Sequence, residues 1–283
     1  MPVRIVTDSA CDLPQALADE LGIVIVPLSI RFGAEEFVDR QDLSVAEFWR
    51  RSKASAVLPS TAAPSPGAFE VAYRTLKEEG ATGVVVVSLS GELSATIQSA
   101  QLAARSVADD ISVTVVDSRS VTIGQGMIAV AAARRAAQGA SEAEVAALVT
   151  SLAERTQVWG ALDTLENLKK GGRIGNAKAL LASVLSIKPI IEIRHGKVEE
   201  GGKQRTRSKA MAFLVEKVRS EIALRGSIEN LAVVHAATTD VNTLVAQLQA
   251  IYPHPIVIGD IGPVIGSHAG TGTIAVVFQV PAS

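Results

Sequence analysis

Residues 82–117, TGVVVVSLSGELSATIQSAQLAARSVADDISVTVVD, decide the fold of this chain. TGVVVVSLS is a short apolar run and reads as a buried strand. GELSATIQSAQLAARSV reads as a turn entering a helix, and SVTVVD (Ser112–Asp117) as another buried strand. Strand, helix and strand in succession indicate a parallel crossover unit. The alternation extends towards the N-terminus. VRIVTD (Val3–Asp8) is strand-like, SACDLPQALADELG gives caps and an amphipathic helix ending at Gly22, and IVIVPLSIRF is a β-branched strand. EEFVDRQDLSVAEFWRRSKA suggests a strand end and a helix starting near Ser44. PSTAAPSPG (Pro59–Gly67) is a loop by its proline content, and a helix follows to Gly80. Past the crossover, VTIGQGMIAVAAARRAAQG and SEAEVAALVTSLAERT are two helices. The pattern predicts a mostly parallel, doubly wound α/β sheet up to Thr156.

Beyond Thr156 the pattern changes. QVWGALD is a strand, LENLKKGGRIG a helix and turn, NAKALLASVLSI a helix, and KPIIEIRHGKVEE a hairpin turning at His195-Gly196. A long helix (SKAMAFLVEKVRSEIAL), a strand (ENLAVVHAAT) and a helix (VNTLVAQLQAIY) follow. The chain closes on GDIGPVIGSHAGTGT (Gly259–Thr273), in which five of fifteen residues are glycine. Between its apolar flanks this reads as strand, glycine-rich loop, strand, with His268 on the loop. Such a loop either lets a ligand approach backbone N–H groups closely or is simply two turns with an exposed histidine. The expected organisation is an α/β domain over 1–156 and an α+β domain over 157–283, sharing an interface of the kind that houses ligands.

Composition excludes several functions. Of the 283 residues 48% are hydrophobic but only 4% aromatic, which leaves few platforms for stacking single-stranded nucleic acid. A formal net charge of -2 provides no strong field towards nucleic acid or membrane. The single cysteine, Cys11, allows no internal disulfide and suits a reducing cytoplasm. MPVRIVTDSA does not read as a signal peptide, and no apolar run approaches the roughly 18 residues of a membrane span, so stable membrane insertion is not expected. His195, His235, His254 and His268 lack close ligand spacing, so no metal is expected, and the absence of a P-loop pattern argues against ATP binding. No cofactor is implied.

The candidate site residues are polar groups at strand ends and glycine-rich turns. TDSACDLP (Thr7–Pro14) ends the first strand, where ligands of open α/β sheets bind, so Asp8, Ser9 and Asp12 could face a site, unless Ser9 or Asp12 caps the next helix. Thr61 and Ser94 offer hydroxyls to a ligand oxygen, or serve as local turn and cap residues. Ser94 with His268 as base would make a nucleophilic pair, although GELSA lacks the G-x-S-x-G elbow. Gly124-Gln-Gly126-Met-Ile-Ala129 fits a dinucleotide pattern but lies off the strand end, so close helix packing explains it better. LKKGGRIG, with Lys170 and Arg173, and GKQRTRSK, with Arg205 and Arg207, could contact phosphate or an acidic protein, or be solvated turns.

Taken together the motifs resemble the DegV family. TDSACDLP is similar to its opening TDS-x-x-DLP, and STAAPSPGAF to its T-S-x-P-S-P-G segment, keeping Thr61, Pro64, Ser65 and Gly67. LSATIQSA resembles L-S-G-T-Y-Q-S-A, LENLKKGGRIGNAKALLASVLSIKPI the central block, Arg205–Arg207 another element, and GPVIGSHAGTG the C-terminal signature. Ala62, Ala63, Ala95, Ile97 and Thr271 depart from those patterns. The resemblance implies two domains with an acyl chain in a tunnel between them. It implies that Thr61, Ser94 and His268 hold a fatty acid carboxylate with Arg173 nearby; Ser9, Gly270 and Thr271 complete the candidate ligand-binding set. The function implied is that of the lipid-binding subunit of fatty acid kinase. It presents a long-chain fatty acid to a separate kinase catalytic subunit and carries the acyl phosphate, with Lys170, Arg205 and Arg207 available to kinase or phosphate. A hydrolase using Ser94 and His268, or a carrier of another amphiphile, are the alternatives. A homodimer is compatible with the sequence, but no motif demands one.

Overall fold

The computed structural model describes residues 3–182 and 187–282. In chain order its first half contains β1 (Arg4–Asp8), α1 (Gln15–Glu20), β2 (Val24–Val26), β3 (Ser29–Phe32), β4 (Glu35–Val38), α2 (Val45–Ala54), β5 (Ser60–Ala62), α3 (Pro66–Glu78), β6 (Val84–Ser88), α4 (Thr96–Ser106), β7 (Val113–Asp117), α5 (Thr122–Ala137) and α6 (Glu142–Arg155). The second half contains β8 (Thr156–Ala161), α7 (Glu166–Lys170), β9 (Lys188–Arg194), β10 (Lys197–Gln204), α8 (Arg207–Arg225), β11 (Glu229–His235), α9 (Val241–Gln249), β12 (Val257–Asp260), α10 (Pro263–Ala269) and β13 (Ile274–Gln279).

A parallel sheet runs in the order β2-β1-β6-β7. Val84 and Val86 face one core with Val6, Phe69 and Tyr73; Val85 and Val87 face another with Ile5, Ile128 and Val149. All four valines are fully buried, so this strand is an unbroken apolar run. Helices α3 and α4 cover the first face, α5 and α6 the second. The chain leaves β1 to β2 on one side and returns to β6 on the other. Such a reversal opens a crevice beyond the carboxyl ends of β1 and β6.

The second sheet is mixed, ordered β10-β9-β8-β13-β11-β12, with only β11 and β12 parallel. Alternation again divides its side chains. Trp159, Val233, Val276 and Phe278 pack with Leu214 of α8 and Leu244 of α9, while Val158, Val234 and Val277 join the core around α5. Helix α5 therefore lies between both sheets. Its glycines and alanines permit this double approach: a Cβ on Gly126 would lie 2.6 Å from the Cys11 carbonyl oxygen. The Gly124–Ala129 pattern is a packing device.

Several local expectations need correcting. IVIVPLSIRF is not one strand: β2 belongs to the parallel sheet, whereas β3 turns into a three-stranded sheet ordered β4-β3-β5. PSTAAPSPG is not all loop, because β5 pairs Thr61 with Ile30 of β3. The closing glycine-rich segment is not a loop either. PVIGSHA forms α10, with proline at its start and Gly270 at its C-cap, so His268 sits in a helix's last turn. In NAKALLASVLSI the structure gives a 3₁₀ segment over Gly175–Ala182, and Ser183–Ser186 lie outside the described residues. The β9–β10 hairpin turns at His195-Gly196 as expected, with φ of 51° and 80°. Its tip docks on the loop after β6: the Ser90 hydroxyl donates to the Gly196 carbonyl at 2.6 Å, and Lys197 pairs with Glu92. No described helix is long and apolar enough to cross a membrane.

Candidate ligand-binding site

The crevice beyond β1 and β6 is roofed by α10 and the β9–β10 hairpin, and encloses a cavity of about 90 Å³. Leu28, Leu89, Leu93 and Val121 line it from the N-terminal half; Leu168, Ile191, Ile193, Val198, Val264 and Ile265 line it from the C-terminal half. Its polar lining is Thr61, Ser94, Arg173 and His268. Thr61, Arg173 and His268 also border an open mouth of about 490 Å³, together with Asn167, Lys170 and Gly171. These three side chains thus stand where an apolar interior meets a polar entrance.

Each polar group is held by local structure. Strand β5 places the Thr61 Oγ1 2.9 Å from His268 Nε2, in a hydrogen bond whose direction depends on the imidazole tautomer. The Ser94 Oγ lies 2.9 Å from Thr96 Oγ1 and accepts the Thr96 N–H at 3.2 Å at the start of α4, whose N-cap, Ala95, has no capping side chain. Arg173, on the turn after α7, donates from Nε to the Leu93 carbonyl at 3.1 Å and from Nη1 to the Gly171 carbonyl at 2.7 Å. It ties the α7 turn to the residue before Ser94. Asn167, which the sequence reading missed, donates to the Ser267 carbonyl at 3.1 Å and holds α10 against α7. Gly171 permits that approach, since a Cβ there would lie 2.5 Å from His268 Nδ1.

Burial, helped by the nearby Arg173 charge, pushes the His268 pKa down to about 4. The ring is therefore neutral at pH 7, and its buried Nδ1 has no hydrogen-bond partner. A neutral imidazole carries one N–H. If Nε2 donates to Thr61, the Thr61 hydroxyl proton is free for a ligand; if Thr61 donates, Nδ1–H is free. Only the Nε2–H tautomer leaves a donor that can reach an oxygen anion, the Thr61 hydroxyl; the Nδ1–H of the other tautomer is buried against Gly171. The Ser94–His268 hydrogen bond that a serine hydrolase needs is not formed, because Ser94 bonds to Thr96 and His268 to Thr61.

The remaining candidates fall elsewhere. Ser9 is buried and its Oγ accepts the Leu28 N–H at 3.0 Å, so its oxygen is engaged away from the cavity. Gly270 closes α10 and Thr271 is exposed on the following turn; neither lines the cavity or its mouth. Asp12 does not cap α1, whose N-cap is Pro14; it accepts from Gly262 and Thr122 instead. Lys170 borders the mouth and pairs with Glu166 at 2.6 Å. Arg207 pairs with Asp240 at 2.8 Å, and Arg205 is exposed beside Asp163 and Lys188, both away from the mouth. Among the described residues no group of acidic, histidine or cysteine side chains could hold a metal ion.

The family model described as "Uncharacterised protein, DegV family" matches residues 2–280. A DegV domain-containing protein of Deinococcus radiodurans is 36% identical over 282 residues, covering 99% of each chain. A solved structure of a DegV family protein from Thermus thermophilus, described by its fatty acid binding, is 32% identical with a TM-score of 0.90, covering 99% of this chain and 100% of its own. DegV of Bacillus subtilis, described as a fatty acid binding protein, is 28% identical with a TM-score of 0.89, covering 99% and 100%. Agreement in sequence and in fold over essentially the full length means that this chain belongs to the DegV family.

Proposed function

We propose that this protein binds one long-chain fatty acid, with its carboxylate at Thr61, Ser94, His268 and Arg173 and its tail between an α/β domain (1–156) and an α+β domain (157–283). The observation that carries this reading is the junction itself: an aliphatic cavity ends at neutral donors and one cation, which open on a polar mouth. Amphiphiles match that arrangement, and the similar Thermus and Bacillus proteins are described as binding fatty acids.

The energetics favour it. Burying an alkyl chain gains roughly 0.8 kcal/mol per CH₂, about 10 kcal/mol gross for a C16 tail. Fixing the tail and parting the walls of a cavity of about 90 Å³ reduce the net value. A carboxylate taken out of water requires donors. The Arg173 guanidinium, the Ser94 hydroxyl and, when His268 carries its proton on Nε2, the Thr61 hydroxyl can supply them. The arriving anion raises the His268 pKa from its unliganded position.

The chain then presents the carboxylate at the mouth to a kinase catalytic subunit and retains the acyl phosphate, with Lys170 and Arg173 beside the transferred group. Incubating the fatty-acid-loaded protein with such a subunit and ATP, then trapping acyl phosphate with hydroxylamine, tests this step. Hydroxamate that requires both proteins supports it; bound fatty acid left unmodified by an active kinase subunit refutes it.

A further inference from the structure

Three side chains, at the end of β1 and on the turn after it, each hold the backbone of a different cavity wall. The Asp8 Oδ2 accepts the Leu89 N–H at 2.8 Å while its Oδ1 accepts the Ala10 N–H at 3.1 Å. The Ser9 Oγ accepts the Leu28 N–H at 3.0 Å. The Asp12 Oδ1 accepts the Gly262 N–H at 3.0 Å, and its Oδ2 accepts the Thr122 hydroxyl at 2.6 Å. The three residues are 0%, 2% and 8% exposed, and none lines the apolar cavity.

The segments they hold do line it. Leu28 and Leu89 are wall residues, and Gly262 is the N-cap of α10, which carries Val264 and His268. Thr122 follows the wall residue Val121 and has a φ of 50°, a conformation disfavoured for a β-branched side chain unless its surroundings hold it. A buried amide that loses its acceptor is left unpaired, so each acceptor fixes its segment strongly. One five-residue segment, Asp8 to Asp12, therefore registers the end of β6, the entry to β3, the start of α5 and the start of α10 against one another.

We propose that Asp8, Ser9 and Asp12 are positioning residues that jointly set the shape of the cavity, and through it the acyl chains that fit. The proposal rests on the cavity being the acyl site. These residues act through Leu89, Leu28, Val121 and α10 without touching the ligand.

The test uses the full chain and saturated C14, C16 and C18 fatty acids competing with a fluorescent fatty acid. It compares wild type, Ser9→Ala, Asp12→Ala, Asp12→Asn and a control, Leu214→Ala, which opens a void in the core on the other face of the mixed sheet. Losing one buried hydrogen bond in Ser9→Ala, or two in Asp12→Ala, is expected to weaken binding at least about fivefold and to shift the C18:C14 preference about threefold. Asp12→Asn can still accept from Gly262 and donate to Thr122, and is expected to stay within about twofold of wild type. Leu214→Ala is less stable but keeps the wild-type preference. Folded Ser9→Ala or Asp12→Ala protein with unchanged affinity and preference overturns the proposal. So does an equal shift in Leu214→Ala, which would make the effect one of stability alone. If Asp12→Ala does not fold, Ser9→Ala decides. Wild-type protein that binds no chain overturns the acyl reading and this proposal with it; wild-type binding with insensitive variants overturns this proposal alone.

Discussion

Gly171→Ala separates the geometry of the candidate site from its composition, because no polar residue is touched. Gly171 has φ −73° and ψ −9°, which alanine adopts freely. On backbone grounds alone the substitution stabilises by about 0.4–1 kcal/mol. The new Cβ, however, would lie 2.5 Å from His268 Nδ1, 3.0 Å from the Asn167 carbonyl oxygen and 3.1 Å from His268 Cε1. Reaching an ordinary contact of roughly 3.5 Å moves the ring by about 1 Å. That lengthens the 2.9 Å Thr61–His268 bond beyond hydrogen-bonding range. The lost bond costs about 1 kcal/mol and the overpacking about 1–3 kcal/mol, so the net effect is a destabilisation of about 1–3 kcal/mol. Fatty acid affinity falls about fivefold to tenfold, since the displaced imidazole no longer shares a hydrogen-bond network with Thr61. Urea unfolding, fatty acid displacement and the ¹⁵N shifts of the His268 ring report the three effects. Gly172→Ala is the control: φ is 72° and no atom lies within 4 Å of its Cβ. It destabilises by about 1–2 kcal/mol through backbone strain and leaves affinity unchanged. A Gly171→Ala protein more stable than wild type, with normal affinity, refutes the reasoning.

Further outcomes follow from the same structure. The folded pKa of His268 lies below its unfolded value near 6.5, so its contribution to stability is present above about pH 6.5 and lost as pH falls towards 4. His268→Gln removes that loss, and the wild type weakens relative to the variant by about 3 kcal/mol across this window in pH-dependent urea melts. Asp8 and Asp12 act in the opposite sense. Burial lifts their pKa values to about 6 and about 7, so ionising them as pH rises from 4 to 7 lowers stability, and Asp12→Asn flattens this slope. Val121→Phe fills the cavity and is expected to lower affinity for a C18 acid at least about tenfold, more than for a C10 acid, in displacement titrations. Phe278→Ala, fully buried on the far face of the mixed sheet, costs about 3–5 kcal/mol in urea while the folded protein keeps its affinity.

What the sequence disclosed was local. The valine run of β6, the His195-Gly196 hairpin and the packing role of Gly124–Ala129 were legible because period, turn chemistry and small side chains act over a few residues. Thr61, Ser94, Arg173 and His268 were singled out as polar groups in turns, and the structure brings all four to one cavity. Their convergence was implied by the family resemblance and by no local pattern, since Thr61 and His268 are 207 residues apart in the chain. The α10 helix was read as loop because its glycines dominate the local signal. Its helical state is set by packing, with Gly266 pressed against Phe48 and Trp49 and the Trp49 indole N–H donating to the Ile261 carbonyl. Ser9 was placed at the ligand, whereas its hydroxyl is engaged by the Leu28 amide, a contact that no sequence pattern signals.

The central claim is that the cavity holds an acyl chain whose carboxylate rests at Thr61, Ser94 and His268. Mass spectrometry of organic extracts from freshly purified, denatured protein tests it most directly, with a Thr61→Ala/His268→Ala variant prepared alongside. The account predicts close to one long-chain fatty acid per wild-type chain and a marked reduction in the variant. Wild-type protein that carries none, and takes up none when supplied, contradicts it.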